Sequence, residues 1–278
     1  MPSSTPSPEP CTAAPVLIFD SGVGGLSVVR ALRAQLPGVP LAYVCDNAAM
    51  PYGTKPDHWL VQRIVAVCLA AVAASGARAL VVACNTASTL ALDALRAALS
   101  IPVVGTVPAI KPAAALSGSG VIGLLATSAT VTRPYTDKLI NDFAGHCTVV
   151  RVAADGLVEQ AERLLAGEPL DDRGLDQGLA PLWRDAGLDT VVLGCTHFPL
   201  LRDRFDARAP RPVQWVDSGA AIARRVAQVL DTLPPAVNTT GDSAWATGPV
   251  SPGLIRGFAG FGFGEPRPLP LPAPSPTP

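Results

Sequence analysis

The chain has 278 residues, of which 49% are hydrophobic and 15% are charged, and its formal net charge is −1. This length and hydrophobicity allow one large core or two modest ones, and two small α/β domains are the favoured division. The basic residues are dispersed, which argues against nucleic acid or an anionic membrane surface as a partner. Residues 1–10 lack the regions of a signal peptide, and no stretch reaches the roughly 18 uninterrupted apolar residues of a membrane span, so we expect a cytoplasmic protein.

Apolar runs of strand length alternate with longer helical patterns along the chain, which is typical of parallel-sheet α/β proteins. The predicted strands are 16–19, 41–44, 79–83, 103–105, 121–125, 148–152, 190–193 and 212–216. The predicted helices are 24–36, 57–75, 87–99, 129–143, 156–166, 173–186 and 219–231. Residues 1–14 and 263–278 are rich in proline and small polar residues, and we predict that both are disordered tails.

The two halves of the folded part resemble each other. A strand-like run precedes Asp20 in the first half and Thr127 in the second, and a later run precedes a cysteine in each half at a similar distance. We therefore expect two similar parallel-sheet α/β domains that face each other across a cleft with a pseudo-two-fold relation. The first domain is predicted to contain residues 15–110 and 217–262, and the second residues 111–216.

Six cysteines occur without CxxC pairing or zinc-type spacing to histidine, so the sequence predicts reduced thiols and no metal site. Cys84 and Cys195 each follow an apolar run at the point where the composition turns helical. Such a thiol lies at the carboxyl edge of a sheet, beside a helix N-terminus that favours thiolate. We therefore expect an acid and a base on opposite faces of one ligand. The alternative for a free cysteine is a small buried hydrophobe, and we interpret Cys45 and Cys68 in that way.

The segment from Asp20 to Leu26 follows a predicted strand and contains three glycines. Its backbone N–H groups and the Ser21 hydroxyl can hold a carboxylate or a phosphate. The segment fails the dinucleotide fingerprint, because Ser27 stands where GxGxxG, read from Gly22, requires glycine. No nucleotide cofactor is therefore expected. For Asp20 alone, an N-cap role is the competing interpretation.

Other polar groups also follow predicted strands. Pro51, Tyr52 and Gly53 form either a surface turn or a loop that supplies backbone donors and a hydroxyl to a small polar ligand. His197 lies two residues beyond the second candidate thiol, where it is either a polar loop residue or a group that tunes the thiol or binds a carboxylate. Glu159 opens a predicted helix, where an acidic residue is expected for dipole reasons alone.

Four segments, in this order, resemble those of the bacterial glutamate racemases within the aspartate/glutamate racemase superfamily. They are FDSGVGGLSV at 19–28, PYG at 51–53, ACNTAS at 83–88 and LGCTHFPLL at 193–201. The resemblance covers most of residues 16–232. It implies two α/β domains around a cleft and racemisation of glutamate without pyridoxal phosphate, nucleotide or metal, which supplies D-glutamate for peptidoglycan.

The resemblance also implies roles for individual residues. Cys84 would deprotonate D-glutamate, and Cys195 would deprotonate L-glutamate. Asp20 would assist Cys84, whereas His197 and Glu159 would assist Cys195. The residues implied to hold the substrate are Asp20, Ser21, Pro51, Tyr52, Gly53, Asn85, Thr86, Thr127, Thr196 and His197.

The segment before Glu159 departs from the family pattern. The family usually has Cys-Pro before the helix that carries the acid, whereas residues 153–154 here are both alanine. Asp155 is therefore an alternative to Glu159 as the acidic helper. Two other functions also stay open, namely racemisation of aspartate or another amino acid and non-catalytic amino-acid binding on the same fold. A homodimer is left open as well.

Overall fold

The computed structural model describes residues 14–233 and 241–271. The strands are β1 (Val16–Asp20), β2 (Leu41–Cys45), β3 (Ala79–Val82), β4 (Val103–Gly105), β5 (Val121–Ala126), β6 (Thr148–Ala153), β7 (Thr190–Leu193), β8 (Gln214–Val216), β9 (Ser243–Ala246) and β10 (Arg267–Pro268). The helices are α1 (Leu26–Gln35), α2 (Asp57–Ser75), α3 (Asn85–Ala98), α4 (Ile110–Leu116), α5 (Ser128–Val131), α6 (Pro134–Ala144), α7 (Gly156–Leu165), α8 (Asp172–Leu179), α9 (Arg202–Asp206), α10 (Gly219–Asp231) and α11 (Pro252–Ala259). Short 3₁₀ turns cover Tyr52–Thr54, Ala180–Arg184 and Phe198–Leu201.

The strands form two parallel sheets. The first has the order β10-β9-β2-β1-β3-β4, and the second has the order β6-β5-β7-β8. The arrangement β2-β1-β3-β4 therefore recurs as β6-β5-β7-β8, with β3 and β7 in equivalent places. This repeat confirms the predicted fold class of two similar parallel-sheet α/β units.

Helices cover both faces of each sheet. In β1, Val16 and Ile18 pack against α1 and α10, whereas Leu17 and Phe19 pack against α2 and α3. Burial on both faces explains why this strand is a continuous apolar run rather than an alternating one. In the second sheet, α4 and α6 cover one face, and α7, α8 and α9 cover the other.

Within the described residues, α2 is the one helix whose length and composition would allow it to cross a membrane. In the fold it belongs to the first sheet. Its Leu60, Ile64 and Val67 pack into the core beneath that sheet. Arg63, in its second turn, forms an ion pair with the buried Asp46 at the end of β2, with 2.7 Å between Nη2 and Oδ1.

Two long predicted helices are each divided in the structure, and proline explains both divisions. Residues 129–143 form α5 and α6, because Arg133 is held in an extended conformation before Pro134. Residues 173–186 form α8 and a 3₁₀ turn, because Pro181 follows the end of α8 and cannot continue its hydrogen bonds.

The prediction of a disordered tail from residue 263 is wrong as far as residue 271. β10 pairs in parallel with β9 at the edge of the first sheet, and Phe263 and Leu269 are buried. Proline is tolerated there because β10 is an edge strand. We therefore propose a first domain of residues 15–110 and 217–271 and a second of residues 111–216. Residues 1–13 and 272–278, from the two predicted tails, lie outside the described residues.

The carboxyl ends of the central strands carry the candidate chemistry. Asp20 ends β1, and Cys84 lies two residues beyond β3. In the second sheet Thr127 directly follows β5, and Cys195 lies two residues beyond β7. Equivalent strands of the two sheets thus carry the two thiols.

Candidate active site

A cavity of about 450 Å³ lies between the two halves, and both thiols line it. The predicted site residues that line the cavity are Ser21, Pro51, Tyr52, Gly53, Cys84, Asn85, Thr86, Thr127, Glu159, Cys195, Thr196 and His197. Asp20 is the exception, because it is fully buried and lies beneath the wall rather than on it.

Cys84 directly precedes α3, and its Sγ lies 3.8 Å from Oγ of Ser21. Burial and the nearby charge of Asp20 raise the pKa of the Cys84 thiol to about 12. Hydrogen bonds from the backbone N–H of Ala87 and from Ser21 act in the opposite direction and are outweighed. At Cys84, burial and Asp20 therefore outweigh the helix N-terminus that favours thiolate, and the thiol holds its proton.

The Asp20 carboxylate joins the two halves. Oδ1 accepts a hydrogen bond from the backbone N–H of Gly22 at 3.0 Å, and Oδ2 accepts one from Thr196 Oγ1 at 2.9 Å. Burial raises the pKa of Asp20, although the charge of His197 and these two hydrogen bonds oppose the shift. Because Ser21 Oγ lies 3.4 Å from Oδ1 of Asp20, that hydroxyl sits between the carboxyl group and the Cys84 sulfur.

Cys195 is followed by a turn and the 3₁₀ segment Phe198–Leu201, so the helix expected at this position is a short 3₁₀ turn. Its Sγ lies 3.7 Å from Nδ1 of His197, and Nε2 of that ring lies 2.7 Å from Oε1 of Glu162. Burial disfavours a charged ring here. The hydrogen bonds to Cys195 and Glu162 nevertheless raise the pKa of His197 well above its ordinary value.

The structure corrects the acidic partner of His197. Glu159 is in the first turn of α7, its side chain is 74% exposed, and its nearest cation is Arg163 at 3.9 Å. Glu162, which lies almost one turn later, is the residue that contacts the imidazole. Asp155 does not replace Glu159 either, because its carboxylate accepts hydrogen bonds from the backbone and hydroxyl of Ser128.

Glu162 also explains the glycines of the segment after β1. Its Oε1 accepts a hydrogen bond from the backbone N–H of Val23 at 2.9 Å. A Cβ on Gly22 would overlap this carboxylate, and a Cβ on Gly24 would overlap the His197 ring. The glycines therefore let a group from the second half approach the backbone of the first half closely.

The cavity wall is rich in neutral polar groups. Among the described residues that line it, none is lysine or arginine. Asn85 and Thr86 open α3, so the positive end of its dipole faces the cavity. Oδ1 of Asn85 is buried and has no hydrogen-bond partner among the described residues. A buried acceptor without a partner, on a residue of the cavity wall, suits a ligand that brings a donor.

Two further contacts join the halves around the cavity. Ser27 Oγ donates a hydrogen bond to the Thr196 carbonyl oxygen at 2.8 Å. Arg133 and Asp57 form a two-pronged ion pair at 2.7 and 3.0 Å, which links α6 to the first turn of α2. Within residues 14–233 and 241–271, no group of three or more His, Cys, Asp or Glu side chains is placed to hold a metal ion.

Sequence reasoning missed several residues of the wall. Met50, Ser128, Thr130 and Glu162 line the cavity but were not predicted. Ser128 could have been predicted from the sequence, since it directly follows the predicted Thr127 at a strand end. Glu162 had no signal of its own, because helix periodicity does not separate it from Glu159 unless the face that meets the other half is known.

Comparison with known proteins matches residues 26–226 to the family described as Asp/Glu/Hydantoin racemase. Glutamate racemase of Proteus mirabilis (strain HI4320) is 51% identical over 232 residues, which is 82% of this chain and 81% of that protein. Glutamate racemase of Shewanella loihica is 46% identical over 250 residues, which is 90% of this chain and 94% of that protein.

A solved structure of Escherichia coli glutamate racemase, in complex with L-glutamate and the activator UDP-MurNAc-ala, has a TM-score of 0.89. It is 43% identical and covers 93% of this chain and 99% of that one. A glutamate racemase from Bacillus anthracis has a TM-score of 0.75 at 28% identity, covering 92% and 97% of the two chains. The chain belongs to the Asp/Glu/hydantoin racemase family.

Proposed function

We propose that the chain interconverts L- and D-glutamate by moving the α-proton between opposite faces of the substrate, with Cys84 and Cys195 as the two proton carriers. The observation that carries the proposal is the placement of both sulfurs on one cavity, each from a different sheet and each beside its own polar partner. The glutamate racemases among the similar proteins support glutamate as the substrate.

In each direction one sulfur, as thiolate, takes the α-proton. The electron pair of the broken C–H bond stays on the α-carbon and is delocalised into the adjacent carboxylate. The other sulfur, as thiol, gives its proton to the opposite face, so one S–H bond forms as the other breaks. The product is the opposite enantiomer, and no other reactant is consumed. By family resemblance, Cys84 is the base for D-glutamate and Cys195 is the base for L-glutamate.

The unequal surroundings of the thiols support a starting state for the reaction. Because the pKa of Cys84 is raised to about 12, this residue begins as the acid. Cys195 shares a hydrogen bond with His197, whose ring is held protonated by Glu162. With Cys84 as the acid, Cys195 beside this ring is the base, as the family resemblance implies. The free enzyme is thus prepared for L-glutamate, and one turnover leaves it prepared for D-glutamate.

When Cys84 is the base, its proton must be held elsewhere or its thiolate must be stabilised. The hydroxyl of Ser21 lies between the Cys84 sulfur and the Asp20 carboxyl group. We propose that Asp20 assists Cys84 through this hydroxyl, since burial raises the pKa of Asp20 and so makes its carboxylate a better proton acceptor. Asp20 thereby assists the reaction from beneath the wall without contact with the substrate.

Glutamate carries two carboxylates and one ammonium, and the wall offers a partner for each kind of group. Backbone and hydroxyl donors of Thr86 and Thr127 suit the carboxylates, as do the backbone groups of Thr196 and of the 51–53 turn. The partnerless oxygen of Asn85 suits the ammonium. Fixed neutral donors on the cavity wall stabilise the charge that develops on the carboxylate as the α-proton leaves.

The test is enantiomer conversion by the purified chain. L-glutamate and L-aspartate are incubated separately, each with and without UDP-MurNAc-ala, because that compound is the activator of the E. coli neighbour. Chiral chromatography should detect D-glutamate in the first case only. Conversion of aspartate alone would show that aspartate, rather than glutamate, is the substrate. Thermal stabilisation by glutamate with no conversion under either condition would make the chain a binding protein.

We also propose that the product serves peptidoglycan synthesis from a cytoplasmic location. The two reduced thiols that the reaction needs are stable in a reducing compartment. The expected result is that deletion of the gene makes growth dependent on added D-glutamate and that fractionation recovers the chain with cytoplasmic markers. Sedimentation equilibrium of the purified chain tests the homodimer that the sequence leaves open.

A further inference from the structure

Asp46 is a second fully buried carboxylate, outside the groups that touch the thiols. It directly follows β2, and hydrogen bonds from three side chains satisfy it. Tyr52 donates its hydroxyl to Oδ2 at 2.7 Å, Thr247 donates to Oδ1 at 2.6 Å, and Arg63 donates from Nη2 to Oδ1 at 2.7 Å. A buried charge needs such partners, so each of them is held firmly in place.

The three donors belong to separate elements. Tyr52 starts a 3₁₀ turn, Arg63 is in α2, and Thr247 directly follows β9. Of these, Tyr52 lines the cavity with its neighbours from 50 to 54. The backbone N–H of Asp46 also donates to the Asp20 carbonyl oxygen at 2.9 Å, so the same residue is bonded to the strand end that carries Asp20.

The segment after β9 makes further contacts with the loop after β2. Thr247 Oγ1 accepts from the backbone N–H of Ala48 at 3.2 Å. The side chain of Asn47 accepts from the backbone N–H of Gly248 at 2.8 Å and donates to the Pro249 carbonyl oxygen at 2.9 Å. Residues 247–249 therefore fasten the start of the loop that continues into the cavity wall.

We propose that Asp46 is a positioning residue for the cavity-lining segment 50–54. Thr247, directly after β9, contributes to substrate affinity through its hydrogen bond to Asp46. The proposal rests on the proposed function for its kinetic consequence. Because this network orients Tyr52 and its neighbours without touching the reacting atoms, its loss should weaken substrate binding more than proton transfer. A merely structural role would lower stability without separating KM from kcat.

The test compares Thr247→Val with a matched control, Thr190→Val. Both variants keep a β-branched shape and lose one hydroxyl that donates to an aspartate, but Thr190 bonds Asp189 in the second sheet, away from the cavity. Thr247→Val should raise KM for glutamate about five- to tenfold, as expected for the loss of one hydrogen bond to a charged group, with kcat within about threefold of wild type. Thr190→Val should leave both constants unchanged.

Amide hydrogen exchange supplies a readout that needs no substrate. Thr247→Val should speed exchange in peptides covering 47–54, whereas Thr190→Val should not. Equal behaviour of the two variants in both measurements would overturn the positioning role. If the wild-type protein fails to racemise glutamate, the proposed function is wrong. The hydrogen-exchange comparison still tests whether Thr247 and Asp46 position the 50–54 segment. Thr247→Val is chosen over Asp46→Asn because it leaves the buried charge and its Arg63 partner in place.

Discussion

Glu162 holds His197 and the first half of the chain with a single oxygen atom. Its Oε1 lies 2.7 Å from Nε2 of the imidazole and 2.9 Å from the backbone nitrogen of Val23. The residue therefore links the protonation of the ring beside Cys195 to the closed arrangement of the two halves. A change in this one carboxylate should alter both.

The first prediction concerns the charge of Glu162. Glu162→Gln keeps the shape but removes the negative charge, so the pKa of His197 should fall, and kcat/KM for L-glutamate should drop about 10- to 100-fold. NMR titration of the imidazole in wild type and variant measures the first effect. The matched control is Glu159→Gln on the same helix, which should stay within about twofold of wild type. Equal losses in the two variants would contradict the assignment of Glu162.

The second prediction concerns pH and Cys84. The negative charge of Asp20 is one cause of the raised pKa of Cys84, so Asp20→Asn should lower that pKa. A fall of one unit increases the thiolate fraction about tenfold at pH values well below the pKa. Alkylation of Cys84 at about pH 8, followed by peptide mass spectrometry, should therefore become faster as racemisation becomes about 100-fold slower.

In the wild-type protein, the rate of Cys84 alkylation should change with pH in one direction only. With a pKa of about 12, alkylation of Cys84 should keep rising through the alkaline range without a plateau near pH 9. Asp155→Asn is the control, since it removes a carboxylate of the cavity wall that is bonded to Ser128. Its alkylation profile should match wild type. A plateau near pH 9 in the wild-type protein would contradict the raised pKa.

The third prediction concerns the close approach at Gly24. A Cβ at this position would overlap His197 and Thr196, so Gly24→Ala should displace the ring from Cys195. We expect a loss of about 1–3 kcal/mol in the free energy of unfolding and at least a tenfold fall in kcat/KM. Denaturant unfolding and steady-state kinetics measure the two effects. Gly38→Ala, where the new methyl group meets nothing within 4 Å, should change neither.

Much of the fold, and the position of the two cavity-lining cysteines, was predictable from local signals. Parallel strands that are buried on both faces produce apolar runs, and these runs located β1, β3, β5 and β7. The positions of Cys84 and Cys195 at the carboxyl ends of β3 and β7 followed from them. The ends of α2 and α10 were also predicted correctly at 57–75 and 219–231. The last two strands of the first sheet, β9 and the edge strand β10, were missed because strands of four and two residues show no periodicity to detect.

What the sequence could not supply depends on contacts between distant segments. Glu162 is selected over Glu159 because its face of α7 meets the backbone of Val23 in the other half. The pKa of Cys84 is set by burial and by Asp20, which outweigh the favourable helix end. Neither fact follows from spacing along the chain.

The fourth prediction concerns the thiols themselves. Cys84→Ala and Cys195→Ala should each lower racemisation about 100- to 10,000-fold in both directions, because every turnover needs one acid and one base. Cys147→Ala is the control, since this half-buried cysteine packs beside the second sheet and away from the cavity. It should retain wild-type kcat. Substantial racemisation by either of the first two variants would show that one thiol suffices.

If two proton carriers act on opposite faces of the substrate, the α-proton of the product comes from the second thiol and not from the substrate. L-glutamate is converted in D₂O, and each enantiomer is analysed for α-deuterium while little substrate has reacted. The first D-glutamate formed should carry deuterium and the remaining L-glutamate should keep its proton, because the second thiol delivers a solvent-derived deuteron. D-glutamate that retains the original α-proton would contradict the two-carrier mechanism.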